Sequence, residues 1–278
     1  MIIFSFPAQL IIFLFGAIIG SFLNVVIYRY NTGRTLGGRS ICMSCGKSLR
    51  WFELIPVISW LVQAGKCVRC RSVIPFQYPL VEAVTGLLFL GVVRMYVGLL
   101  PDTTLFLWHV IPAVFLWCML VVIAVYDIRH KIIPDLFVYL FIIISALLLF
   151  VTPHGFVVPP LLILGGGGGW LDFFAGFIIP LPFALLWYAT GGRMIGFGDI
   201  KLMMGIGFFL GLGMGIAAVV LAFWVGALVG VFLLLTHGKD VTMKTQIPFG
   251  PFLILGIVIA YFCQLSFLDI ASWLTFFT

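Results

Sequence analysis

The sequence predicts an all-α polytopic membrane protein with about eight transmembrane helices and one small cytoplasmic domain held together by zinc. Of its 278 residues, 63% are hydrophobic and only 9% are charged, a composition that a water-soluble domain cannot bury. Apolar runs of roughly 20 residues, enough to cross about 30 Å of hydrocarbon, recur along the chain. Four of the six cysteines lie together in the one sizeable polar stretch.

The first predicted span covers about residues 8–28. The first basic residue of the chain, Arg29, follows this apolar run. The run therefore lacks the positive region of a cleavable signal peptide and should be retained.

The run Gly165–Gly169 closes the longest outer loop. No Gly-Lys-Ser/Thr follows it, so it indicates a flexible connector. The other spans are expected at about residues 79–100, 106–126, 170–190, 201–215 and 217–236, with two more starting near 135 and 251.

The basic residues orient this arrangement. With eight spans and the N-terminus outside, fourteen of the fifteen lysines and arginines fall on one side, and only Arg94 lies toward the other. By the positive-inside rule, that side is the cytoplasm. The net charge of +6 therefore reflects topology and contact with anionic lipid headgroups, and we expect no nucleic-acid partner.

Two CxxC pairs, separated by twenty-one residues, mark the polar stretch. Four thiolates at this spacing can hold a zinc ion tetrahedrally and so stabilise a domain too small to form a core. A pair of disulfides is the competing interpretation, but stable disulfides are rare in the reducing cytoplasm where the topology places this loop. A redox or free-thiol role is the remaining alternative. The four cysteines are Cys42, Cys45, Cys67 and Cys70.

Two acidic residues stand beside long apolar runs. Asp127 follows the third span, and Asp199 lies between two apolar runs after Gly196 and Gly198. Because an acid next to hydrocarbon is costly, its presence points to a function. The topology puts both on the cytoplasmic side, where one ionised and one protonated carboxylate can hydrolyse a peptide bond as a dyad. Alternatively, both are interfacial acids that reach water or pair with nearby bases such as Lys201.

Further motifs accompany these cysteines and acids in a fixed order. They are Gly20-Ser21-Phe22-Leu23-Asn24-Val25 with Tyr28-Arg29, Pro56-Val57-Ile58-Ser59-Trp60, Tyr78-Pro79 with Glu82, Asp127 with Ile133-Pro134-Asp135, and Gly196-Phe197-Gly198-Asp199-Ile200-Lys201-Leu202. Over nearly the whole chain, this pattern resembles the bacterial type IV prepilin peptidases, also called leader peptidase/N-methyltransferases, of the GxGD class of aspartic proteases.

The resemblance implies cleavage of the basic leader from type IV prepilins or type II secretion pseudopilins at the cytoplasmic face of the bacterial inner membrane. It also implies methylation of the new N-terminal residue with S-adenosylmethionine. At matching positions, Asp127 and Asp199 would be the catalytic dyad, and the four CxxC cysteines would bind Zn²⁺. No residue is assigned to S-adenosylmethionine, and the resemblance gives Glu82 no role. Two interpretations of Glu82 stay open, an interfacial acid and a polar group that lines the active cleft.

Three regions are therefore expected: a first span (1–29), a cytoplasmic zinc-binding domain (30–78) to which the resemblance assigns methyl transfer, and a multi-span aspartic peptidase domain (79–278). The expected partners are prepilin-like substrates and the lipid bilayer, and no oligomeric state follows. Three alternatives remain at this point. They are a member with peptidase activity only, a transporter that uses the two acids as a proton relay, and a scaffold for pilus or secretion assembly.

Overall fold

The computed structural model describes residues 5–33, 35–97, 103–151, 170–236 and 248–275, so the predicted connector Gly165–Gly169 lies outside the described residues. Apart from two isolated β-bridges, the regular structure in these ranges is helical, which confirms the predicted fold class. The α-helices are α1 (Phe6–Arg29), α2 (Ile58–Val62), α3 (Gln77–Val97), α4 (Thr103–His130), α5 (Asp135–Val151), α6 (Trp170–Ile178), α7 (Leu181–Thr190), α8 (Phe197–Thr236), α9 (Gly250–Cys263) and α10 (Phe267–Thr275).

Within the described ranges, five helical segments are long and apolar enough to cross a bilayer. Two shorter apolar helices, Asp135–Leu149 and Gly250–Cys263, correspond to the predicted fourth and eighth spans. The predicted total of eight is not confirmed, because five helical segments in these ranges meet both the length and the apolarity of a span. The five segments are Phe6–Arg29, Gln77–Val97, Phe106–His130, Asp172–Thr190 and Phe197–Thr236.

The chain divides into two compact units, Met1–Val122 and Ile123–Thr278. In the first unit, α1 packs along α3. Small residues allow this close approach, since a Cβ on Gly16 would lie 2.9 Å from the Cα of Gly86. The polar segment between α1 and α3 contains the four CxxC cysteines and the short helix α2.

In the second unit, α8 packs against α5, α6 and α9. The Phe209 ring of α8 lies 5.6 Å from Phe141 of α5 and stacks on Tyr261 of α9 at 5.8 Å between centroids. Gly256 brings α9 against α8, since a Cβ there would lie 2.1 Å from the carbonyl oxygen of Ala218. Small residues thus let α8 and α9 approach each other closely.

Helix α8 is interrupted at Gly211. A straight helix of 40 residues would be about 60 Å long, roughly twice the hydrocarbon thickness. Gly211 leaves the helical conformation, with φ 74° and ψ −176°, which glycine adopts without steric cost. The backbone N–H of Leu212, just beyond the break, donates to Asp172 Oδ1 of α6 at 2.8 Å. Asp172 thus caps the second segment of α8.

Asp172→Ala should lower the stability of the second unit, because the N–H of Leu212 loses its acceptor. The expected loss is about 1–2 kcal/mol, visible as a lower thermal midpoint of the detergent-solubilised protein. Asp172→Asn is the matched control, since its side-chain oxygen can still accept this bond. Equal midpoints for the Ala variant and the wild type would refute the capping role.

Candidate functional site

Two helix ends in the second unit carry the predicted pair of acids. Asp127 lies in the last turn of α4 and is only 3% exposed, and Asp199 lies in the first turn of α8 and is half-buried. The two carboxylates are close enough for their negative charges to repel each other. The structure therefore brings together two acids that are 72 residues apart in sequence.

A third element, the N-terminus of α9, completes the surroundings of Asp127. The backbone N–H of Gly250 donates to Asp127 Oδ2 at 3.1 Å. This N–H is one of those at a helix start that have no partner within the helix, and the helix dipole there favours a negative charge. Asp127 lies at the C-terminal end of its own helix, which is unfavourable for an anion. The start of α9 offsets that cost.

The region around the two acids is closely packed. A Cβ on Gly250 would lie 2.6 Å from Asp127 Oδ2, and one on Gly196 would lie 3.0 Å from Asp199 Oδ2. Ile133 lies beside both Gly198 and Gly250. A Cβ on Gly198, for example, would lie 3.1 Å from the Cβ of Ile133. The glycines thus give the two carboxylates space that larger residues would fill.

Lys201 forms an ion pair with Asp135 at the start of α5. Its ammonium also lies over the rings of Tyr139 and Phe197, 5.0 and 5.4 Å from the centroids. The interpretation of Asp199 as an interfacial acid paired with Lys201 therefore finds no support in the described residues. The ion pair instead joins α5 to the beginning of α8.

In the sequence, Gly250 stands directly before the start of the last predicted span. The signal at this point is Gly250-Pro251 directly before an apolar run, because proline is favoured in the first turn of a helix. That signal locates a helix start. It does not show which side chain accepts a hydrogen bond from the N–H groups at that start. In the structure, Asp127 accepts the N–H of Gly250.

Gly250→Ala should impair the pair of acids. The added methyl group must displace the Asp127 carboxylate or the start of α9, and loss of this hydrogen bond should lower peptidase activity by about 10- to 100-fold. Gly226→Ala is the matched control, because its nearest neighbour, Phe252, would lie at an ordinary 3.6 Å. Rates of substrate cleavage by purified variants test this, and an unimpaired Gly250→Ala variant would contradict it.

The four CxxC cysteines form a second site, in the first unit. Antiparallel bridges join Ile41 to Ser48 around the first pair and Lys66 to Val73 around the second, at identical offsets from the cysteines. The two turns are therefore equivalent, and each presents two thiols. All four sulfurs lie within 4.8 Å of one another. The Sγ atoms of Cys42 and Cys70 are 3.8 Å apart, which matches the edge of a tetrahedron with zinc–sulfur bonds of about 2.3 Å.

The hydrogen bonds at these turns act on the thiols. The backbone N–H of Cys45, helped by the Ser72 hydroxyl, outweighs burial and lowers the pKa of Cys42 to about 6. The Ser72 hydroxyl and N–H also lower the pKa of Cys70. The N–H of Lys47 lowers the pKa of Cys45, but burial and the adjacent sulfurs leave it raised. Sulfurs crowded in this way suit a bound cation, so the cluster could hold zinc.

A cavity of about 510 Å³ lies beside the cysteine cluster in the first unit, within the size range of small-molecule sites. Its wall combines polar and aromatic side chains from α1, α2 and α3, including Asn24, Trp60, Tyr78 and Glu82. Glu82 is 7% exposed, and its Oε2 accepts the backbone N–H of Val57 at 2.7 Å. Glu82 therefore lines this cavity of the first unit.

Two family models match this chain. Residues 14–96 match the bacterial Peptidase A24 N-terminal domain, and residues 113–231 match the type IV leader peptidase family. No solved structure matches the chain.

Three curated relatives are each named prepilin leader peptidase/N-methyltransferase. The protein from Bacillus subtilis is 33% identical over 90% of this chain and 92% of the relative. Those from Aeromonas hydrophila and Pseudomonas aeruginosa are 31% and 30% identical, over 87% and 86% of this chain and 86% and 85% of the relatives. These matches do not favour the transporter, scaffold or peptidase-only alternatives. They identify the chain as a member of the type IV leader peptidase family.

Proposed function

We propose that this membrane enzyme removes the basic leader from type IV prepilins or type II secretion pseudopilins and then methylates the new N-terminal amine. The observation that carries the peptidase assignment is the pair formed by Asp127 and Asp199 at the ends of two helices, with the Gly250 N–H on one carboxylate. The names of the relatives support both activities.

The two carboxylates have complementary roles in peptide hydrolysis. Charges that repel favour a state in which the pair holds one proton. The ionised carboxylate takes a proton from water as the oxygen attacks the scissile carbonyl carbon, and the protonated one donates to the carbonyl oxygen. The carbon–nitrogen bond then breaks as the leaving amine takes a proton from one carboxyl group and the other carboxylate takes one back from a hydroxyl of the tetrahedral intermediate, so the pair again holds one proton. The leader departs with a free carboxylate.

The Gly250 N–H fixes one oxygen of Asp127 during these steps. A carboxylate held by one oxygen presents the other to water or to the substrate in a defined direction. The buried surroundings of Asp127 also limit its contact with bulk water. Both effects reduce the reorganisation needed when a proton moves.

The first unit would hold the parts needed for methylation. S-adenosylmethionine supplies the methyl group when bound, and the cavity lined by Trp60, Tyr78 and Glu82 has aromatic faces and acidic groups suited to an adenine ring and a cation. Zinc at the four cysteines would fix the two turns that form part of this wall, since Cys42 and Cys67 border the cavity.

We place the enzyme in the bacterial inner membrane, with the N-terminus outside and both sites at the cytoplasmic face. The distribution of basic residues supports this orientation. A prepilin has its basic leader ahead of a hydrophobic helix, so its scissile bond would reach the bilayer surface on the same side.

Coexpression with a prepilin in a host that lacks its own prepilin peptidase tests the proposal. Intact-mass spectrometry separates the two activities, because leader removal and one added methyl group have different mass signatures. We expect both changes in the substrate. An intact leader would refute the peptidase, and a shortened but unmethylated product would refute the methyltransferase alone.

A further inference from the structure

The cavity in the first unit is lined by two buried acids without a basic partner. Glu82 and Glu53 are 7% and 9% exposed, and within the described residues neither forms an ion pair. Arg29 also lines the cavity, but its guanidinium donates to the backbone oxygens of Thr35 and Gly37 at 2.8 and 2.6 Å. Since a buried carboxylate without a counter-charge is costly, this cavity favours a cationic ligand.

The two acids differ in their surroundings. Glu53 Oε2 accepts the N–H of Arg50 at 2.7 Å in a turn of its own segment. Glu82 lies on α3 and accepts the N–H of Val57 and a hydrogen bond from Ser21 of α1. Glu82 therefore connects three separate parts of the cavity wall, whereas the hydrogen bond of Glu53 lies within its own turn.

Asn24 of α1 adds a second observation in the same wall. Its side chain is 1% exposed, and its Nδ2 donates to the oxygens of Tyr78 and Gly20 at 3.2 and 3.4 Å. Both partners only accept, so the orientation of the amide is fixed and Oδ1 is the remaining acceptor. Oδ1 has no hydrogen-bond partner in the structure. A buried acceptor in this state costs about 1–3 kcal/mol, which a donor on a bound ligand would relieve.

We propose that Glu82, with Asn24 in the same wall, forms the subsite of this cavity that binds a primary ammonium group. This inference rests on the proposed methyltransferase function, in which two ligands carry such a group. One is the N-terminal ammonium that leader cleavage exposes, and the other is the amino-acid end of S-adenosylmethionine. An ammonium offers three N–H donors and one positive charge, which match the acceptors and the carboxylate here.

Glu82 also has a structural task, which the test must separate from binding. The Val57 N–H that it accepts belongs to a residue with φ 60°, an unusual conformation for a β-branched side chain. Val57 leads into α2, which carries Trp60 of the cavity wall. In Glu82→Gln, the amide oxygen can still accept from Val57, while the negative charge is lost. This variant therefore keeps the structural bond and removes the ammonium partner.

Binding measurements on the full-length detergent-solubilised protein test the subsite with two matched ligand pairs. The first pair is a peptide with the sequence of a leader-free prepilin N-terminus and its N-acetylated form. The second is S-adenosylhomocysteine and 5′-methylthioadenosine, which lacks the amino-acid end. In the wild type we expect the amine-bearing member of at least one pair to bind about 10-fold or more tightly than its partner, and Glu82→Gln should bring that ratio near one.

Thr85→Val is the control, because Thr85 is 1% exposed on the same helix and its hydroxyl donates within that helix, to the oxygen of Val81. Its ligand ratios should equal those of the wild type. Loss of preference in the peptide pair would assign the subsite to the substrate, and loss in the nucleoside pair to the cofactor. Unchanged ratios in Glu82→Gln, or no preference for an amine in the wild type, would overturn the proposal.

The same measurements keep this inference distinct from the proposed methyltransferase. A wild type that binds neither nucleoside and adds no methyl group would refute the methyltransferase. The peptide pair would then decide the ammonium subsite by itself. Conversely, a wild type that methylates its substrate but shows unchanged ratios in Glu82→Gln would refute only the subsite.

Discussion

Asp127→Asn and Asp199→Asn should each reduce leader release by at least about 10³-fold. An amide can neither take a proton from water nor donate one as a carboxylic acid does, so either change removes one half of the acid–base pair. Asparagine is close to aspartate in size, and in Asp127→Asn the amide oxygen can still accept the hydrogen bond from Gly250. The fold should therefore survive the loss of activity.

Purified variants and a purified prepilin allow the rates to be compared directly. Asp172→Asn is a matched control, since this half-buried acid of the same unit caps α8 away from the pair. It should cleave at close to the wild-type rate. Cleavage at the wild-type rate by either dyad variant would refute the assignment of that residue.

Replacement of the CxxC cysteines should have the second large effect. We expect Cys67→Ser, which alters the most buried of the four ligands, to lose bound zinc, to disorder the segment that carries both turns and to abolish methylation. Leader release should persist, because Asp127 and Asp199 belong to the second unit. Metal analysis of the purified protein, together with the masses of the products, measures these effects.

Cys263→Ser is the control for the cysteine experiment, since Cys263 is exposed at the end of α9 and lies outside the cluster. It should retain one zinc per chain and both activities. Zinc that remains at full occupancy after all four CxxC cysteines are changed to serine would show that the metal binds elsewhere.

Local patterns in the sequence were sufficient for the cysteine cluster and for the helix ends that carry the acids. A CxxC turn brings its two sulfurs together within a few residues, so the spacing of each pair alone predicts half of the four-cysteine site. Asp127 and Asp199 interrupt apolar runs, and an apolar run of about 20 residues marks where a membrane helix begins and ends. These features depend on short stretches of chain.

Contacts that depend on how helices pack were not predictable in the same way. A helix that is apolar all round does not show which of its sides meets a neighbour, so the bond from Gly250 to Asp127 had no periodic signal. Glu82 belongs to a motif visible in the sequence, but its bond to Val57 joins residues 25 positions apart across the segment that contains α2 and the second cysteine pair. The two predicted spans 201–215 and 217–236 place a boundary near residue 216, whereas α8 breaks at Gly211, because glycine is also frequent in uninterrupted membrane helices and does not locate the break.

The most direct test of the central claim is the rate at which the purified enzyme, without added S-adenosylmethionine, releases the leader from a purified prepilin in detergent. N-terminal sequencing of the product identifies the bond that is cut. We expect cleavage at the single junction between the basic leader and the hydrophobic helix, and no product above background with the Asp127→Asn/Asp199→Asn double variant. An intact prepilin with the wild type, or equal cleavage by the double variant, would contradict it.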